Sequence, residues 1–285
     1  MARRRSLLGM LLKSLIGLVL TIVLILGGIY AFIYFRYDIN LVDVFGYINE
    51  VNEDVDTATL INNPYTAEDL ESAKAEIDSV SVFDTTITLS DREVAAYIND
   101  FILNGDNVQT ISVSGTEYTL KDLGFEICQV EFSNLVSSVV DNGNLCDINL
   151  VFKLETVKFT ENMKDFPMNI VEKNIPDTVY VSSTVTLSKV NEEGKDYKVT
   201  SKDISINNLD KKDIDDIFRM VNNFTDIGTI EEFNEKIGGI FVDALIGNEE
   251  NGGVAYELIT KGADGYRFVT VDDKNCFEIY KDLTI

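Results

Sequence analysis

Between Ser14 and Phe35 the chain reads SLIGLVLTIVLILGGIYAFIYF, 22 positions without a charge. A helix of that length rises about 33 Å at 1.5 Å per residue, enough to cross the hydrocarbon core of a bilayer. The segment is drawn at residues 14–36, with Ser14, Leu20, Ile25, Tyr30 and Phe35 marking its run. A cleaved signal peptide is the rival reading. Its apolar region usually covers about 7 to 15 residues and ends in an A-x-A-like site. Here bulky Ile29 stands three positions back from a cut after Ala31, and no lipobox cysteine follows. An uncleaved anchor is therefore expected.

Arg3, Arg4, Arg5 and Lys13 precede the span, whereas Arg36 alone follows it before Asp38, Asp43 and Glu50 open an acidic run. The bias of basic residues toward the inner side places residues 1–13 in the cytoplasm as a short basic tail. Tyr30, Tyr34 and Tyr37 gather at the other end, where amphipathic rings suit the headgroup level. A tail of about a dozen residues is too short for a folded module. The expectation is a single-pass cell-membrane protein, with cytoplasmic N-terminus and a C-terminal domain that acts outside.

All 48 acids and 19 of the 24 bases lie beyond residue 36, so the outer part carries about −29. Such a surface repels nucleic acid and anionic headgroups, and no nucleic-acid partner is expected. A solvated acidic face explains the charge; attraction of cationic partners in the envelope is the functional alternative. Cys128, Cys146 and Cys276 form an odd set without C-x-x-C spacing. Buried free thiols are expected, with a single bridge as the alternative.

Residues 37–65 read as an acidic tether ending in Asn62-Asn63-Pro64, and residues 66–285 as one extracytoplasmic α+β domain. TAEDLESAKAEID predicts a short helix capped by Thr66. FDTTITLS predicts a strand running into a helix from Ser90 to Leu103. A hairpin is expected around Ser114-Gly115 and a longer one around DNGN at 141–144. The return strand then carries Cys146, Ile148, Leu150, Phe152 and Leu154 on one face. That phase flips between Leu154 and Val157, which predicts a bend.

MKDFPMNIVEKNIP reads as an irregular connection. After it, Val179, Val181, Val185 and Leu187 alternate, and the next strand shifts phase from Tyr197 and Val199 to Ile204 and Ile206. Phase slips of this kind predict a strongly curved antiparallel sheet. Amphipathic helices are expected at 210–221 (Ile214, Ile217, Phe218, Val221) and 230–247 (Ile230, Phe233, Ile237, Ile240, Phe241, Ala244), the second capped by Thr229 with Glu232. VAYELIT, YRFVTV and CFEIYK are read as short closing strands.

Chemistry is constrained first by the absence of histidine. Histidine-dependent triads, histidine-ligated zinc and imidazole acid-base catalysis all fall away. S-x-x-K spacing, phosphate-cradling glycine loops and EF-hand patterns do not occur either. Gly238-Gly239 lies inside a predicted helix. Asp213, Asp215, Asp216, Asp272 and Asp273 have the chemistry for weak calcium binding, but exposed helix and turn faces explain them better. No catalytic, cofactor-binding or metal-ligating residue is nominated, and no cofactor is expected. Ser90, Asp91, Arg92 and Glu93 crowd four polar groups together; the S-x-x-E spacing reads as a capping box, with Asp91 in the first turn and Arg92 toward solvent or a neighbouring acid.

The strand followed by LSDREVAAYIND, with NIPDTVYVSSTVTLSKV and ISINNLDKKDIDDIF downstream, resembles the YpmS-like family of membrane-anchored extracytoplasmic proteins of Gram-positive bacteria. The resemblance covers about residues 83 to 220. It implies an envelope protein with a curved-sheet, lipid-associated fold and carries over no catalytic residues. The fold expected is thus α+β: an N-terminal transmembrane helix, then a curved antiparallel sheet with amphipathic helices packed on it. The function expected is non-catalytic binding of an apolar or lipidic ligand, or scaffolding of cell-envelope machinery. A carboxylate-based cell-wall glycan hydrolase is one alternative. A protein-partner module of a division or secretion assembly is another.

Overall fold

In the computed structural model the described residues are 41–82, 84–104, 111–113, 116–122, 124–136, 144–155, 176–192, 195–222, 228–249 and 252–281. The predicted span at 14–36, the bend after Leu154 and the connection at 163–175 lie outside them. Among the described residues no helix is long and apolar enough to cross a membrane.

Helices α1 (Leu41–Asn52), α2 (Thr57–Leu60) and α3 (Ala67–Ile77) lead into strand β1 (Ile87–Ser90) and helix α4 (Asp91–Asn104). Strands β2 (Ile111–Val113) and β3 (Thr116–Tyr118) pair as a small hairpin. The main sheet is antiparallel, with β4 (Glu126–Ser133), β5 (Asn144–Glu155), β6 (Thr178–Glu192) and β7 (Lys195–Ile206) side by side in chain order. Helices α5 (Lys211–Asn222), α6 (Ile230–Leu245) and α7 (Val254–Thr260) follow, then strands β8 (Gly265–Val271) and β9 (Lys274–Tyr280). A second sheet has the order β1-β9-β8, so the first and last of the described strands pair in it.

Alternation decides which sheet face is covered. Cys146, Ile148, Leu150, Phe152 and Leu154 of β5 are all buried, as are Val179, Val181, Val185 and Leu187 of β6. Side chains two residues apart share a face, so these rows make one apolar surface. Helix α4 packs on it over β4, and α6 over β6 and β7. Ile230, Phe233, Ile237, Ile240, Phe241 and Ala244 supply the buried stripe of α6. Phe132 of the main sheet meets Phe268 of the second sheet edge to face at 5.0 Å, and both sheets feed one core.

The phase shift in β7 corresponds to a bulge. Thr184 pairs with Asp203 and Val185 with Ser201, leaving Lys202 as an extra residue. Inward positions therefore change parity from Tyr197 to Ile204 and Ile206. Further register breaks occur at Ile127/Gln129 and Asn144/Cys146. Together they curve the sheet.

Two sequence expectations need correction. VAYELIT forms helix α7, not a strand: Val254, Ala255 and Leu258 are buried, a one-and-four spacing that a helix turn presents to one side. Seven residues, five of them apolar, carry too little periodicity to separate the two forms. Second, the stretch read as tether contains α1 and α2. Val51 is 2% exposed, and the Asn207 side-chain amide donates to its carbonyl at 2.8 Å. YRFVTV and CFEIYK do form β8 and β9, joined by Asp272 and Asp273, both at positive φ (49° and 62°). That pair makes a two-residue hairpin turn whose twist suits the strands.

Candidate functional site

The polar cluster at the end of β1 is built by the helix start. The Ser90 backbone N–H and hydroxyl donate to Glu93 Oε2, each at 2.8 Å, and the Glu93 N–H returns to Ser90 Oγ at 3.3 Å. The Ser72 hydroxyl donates to Glu93 Oε1 at 2.6 Å, tying α3 to α4. Glu93 thus acts as a clasp, with both oxygens engaged. Thr229 and Glu232 make the same reciprocal pair at the start of α6.

Arg92 stays partly exposed and meets a neighbouring acid, as the sequence reading allowed. Its Nη2 donates to Asp69 Oδ2 at 2.8 Å, and that oxygen also closes the capping box of α3 with Thr66. Burial works against the Asp69 anion, but the Thr66 and Arg92 contacts hold its pKa below the ordinary value. Asp91 accepts from the Arg92 N–H at 2.8 Å and from Asn63 Nδ2 at 3.2 Å. Burial raises its pKa, and the charge of Glu131 adds to that. A glycan-cleaving pair needs two acids facing an open cleft. Asp91 is instead spent on holding its own helix start and residue 63.

The concave side of the sheet offers a second place to look. An apolar hollow of about 30 Å³ lies between α4, β4, β5 and α6, lined by side chains that include Ile102, Phe125, Phe152, Ile237 and Phe241. That is space for about one water, and pockets for small molecules run to roughly 300–1,000 Å³. A second hollow of about 50 Å³ lies between α3, α4 and α7, next to Tyr97, Asp78 and Glu257. The Tyr97 hydroxyl donates to Asp78 there at 2.9 Å.

Two buried polar groups escaped the sequence reading. Asn234 of α6 is 0% exposed and sits over the β7 bulge. Its amide donates to Thr184 O (3.1 Å), Ser201 Oγ (3.0 Å) and Asp203 O (2.9 Å), and its carbonyl oxygen accepts from buried Ser183 Oγ at 2.6 Å. On the other sheet face the bulged Lys202 reaches Asp147 Oδ2 at 2.5 Å, joined by Thr186 Oγ1 at 2.6 Å on Oδ1 and by Asn134 Nδ2. Burial opposes the Asp147 anion, yet these three donors hold its pKa below the ordinary value. The signal was present in sequence: Ser183 interrupts the apolar row 179-181-185-187, and Asn234 interrupts the apolar stripe of α6.

Cys128, Cys146 and Cys276 are buried and unpaired with one another, as expected. Burial pushes the Cys128 thiol up to about 12 and raises the other two as well. A reactive cysteine needs a depressed pKa and access, so these thiols are suited to packing. Among the described residues no group of three His, Cys, Asp or Glu side chains is arranged to hold a metal ion. Asp210 caps α5 by accepting from the Lys212 and Asp213 N–H groups, and Asp215 and Asp216 pair with Arg219.

Comparison with protein-family models, with curated proteins and with solved structures finds no match to this chain.

Proposed function

We propose that this chain is a single-pass, N-in membrane protein whose acidic α+β domain works outside the cell membrane by contact, scaffolding envelope machinery without catalysing a reaction. The observation that carries the scaffolding choice is the filling of the sheet's apolar face by α4 and α6, which leaves a hollow of about 30 Å³ between them. A partner therefore meets a surface. The resemblance to YpmS-like proteins supports the envelope location and is neutral between scaffolding and ligand binding. A non-catalytic role is supported by a sequence without histidine and by thiols that burial keeps protonated.

The apolar lining of the same hollow favours a second reading, in which a lipidic chain enters by displacing Ile102 and Phe241. Native mass spectrometry of the full chain released from membranes separates the two. Scaffolding predicts the bare mass. A lipid of one class retained at one per chain would replace scaffolding with the ligand reading.

A further inference from the structure

Residues 37–65 would reach about 100 Å if all of them were extended chain, at roughly 3.5 Å per residue. The domain takes most of that length back. Val51 is buried in the core, Asn207 holds its carbonyl, and Asn208 Nδ2 donates to Glu50 O (3.1 Å) and Glu53 O (3.0 Å). The Tyr47 hydroxyl reaches Asp216 Oδ2 at 3.4 Å. Further along, the Asn63 N–H donates to buried Gln129 at 2.8 Å, and Tyr65 packs on the core while accepting from Asn99 at 3.0 Å. Between Arg36 and α1 stand only residues 37 to 40. Four residues extend at most about 14 Å.

We propose that the domain is mounted directly against the outer membrane surface, with the corner formed by α1 and the β7–α5 loop nearest the headgroups. The proposal rests on the anchored reading of residues 14–36. The bilayer is the partner of this corner because the four-residue connection, about 14 Å, and the first turns of α1 before Tyr47, about 9 Å, leave too little room for a folded domain to stand between them. Strand β7 runs from Lys195 to Ile206, about 36 Å at 3.3 Å per residue, so the far end of the β6–β7 hairpin is held well away from the mount.

Glu50, Glu53, Asp210 and Asp213 surround the same corner closely enough for their charges to act on one another. Anionic headgroups repel that cluster, and the short connection opposes its departure from the surface. A scaffold mounted in this way reaches partners within about one domain diameter of the membrane. Targets deep in a thick wall lie beyond it.

Energy transfer in vesicles of phosphatidylglycerol and phosphatidylethanolamine carrying a headgroup acceptor dye tests the mount. The full chain is given a donor at Lys212→Cys, beside the mount, or at Lys198→Cys, far along β7. The buried native thiols react slowly, and the unsubstituted chain carried through the same labelling sets the background. Transfer several-fold stronger from position 212 than from 198 is expected, and Val51→Asp or the paired Asn207→Ala, Asn208→Ala change should shrink that difference. Equal transfer from both positions, in protein that survives an alkaline wash of the membranes, overturns the mount and leaves the anchor standing. Protein that leaves the membranes in the wash overturns the anchored reading itself.

Discussion

Asn234 adds hydrogen bonds at the β7 bulge. Beside the extra residue Lys202, one side-chain amide from α6 donates to both Thr184 O and Asp203 O while its oxygen accepts from Ser183 Oγ. An apolar residue of similar volume would remove these contacts and leave the buried Ser183 hydroxyl without the Asn234 acceptor, at about 1–3 kcal/mol for a group fully deprived. Asn234→Leu should lower unfolding free energy by about 3 kcal/mol in urea titration, and adding Ser183→Ala should recover part of the loss. Asp147 has a related role on the solvent side. Its depressed pKa means that the folded state binds fewer protons than the unfolded one. The stabilisation is therefore full above the unfolded value of about 3.9 and is lost as pH falls through the lower folded value. Asp147→Asn should cost about 2 kcal/mol at pH 7 and flatten the acid limb of a stability-versus-pH curve. Ser90→Ala removes one cap and should cost about 1 kcal/mol by thermal melting.

At the level of elements, α6 lies close on β6 and β7 because Gly238 faces them. A methyl group there would meet Val185 Cγ1 and Cγ2 at 2.7 Å, whereas Gly239 has nothing within 4 Å. The two neighbours should respond oppositely. Gly238→Ala is expected to destabilise by about 1–2 kcal/mol through overpacking, and Gly239→Ala to stabilise by up to about 1 kcal/mol through helix propensity. Denaturant midpoints that moved in the same direction for both would contradict the close approach. The capping signals at Thr66, Ser90 and Thr229 were legible because a cap is a contact over three residues. Which acid Arg92 would meet was not: Asp69 is distant in sequence, and only the packing of α3 against α4 brings them together. Helix α7 was missed because seven apolar-rich residues satisfy both periodicities until burial selects one.

For the molecule as a whole, the boundary at residue 66 is where sequence and tertiary structure divide most clearly. A fragment spanning 41–285 should melt several degrees above one spanning 66–285, since the shorter one loses Val51 from the core and the hydrogen bonds of Asn207 and Asn208. What the sequence determined by itself is what short-range physics controls: strand alternation, helix stripes and caps, the phase slip that marks the β7 bulge, and an uncharged run of 22 residues at 14–35. Each depends on neighbours within a few positions, so a linear reading captures it. Only the tertiary structure decided that α4 and α6 fill the sheet's apolar face and that the acidic approach to the domain is fastened to it. Those outcomes depend on groups more than a hundred residues apart, such as Val51 and Asn207, whose pairing exists only once the chain has closed around its core.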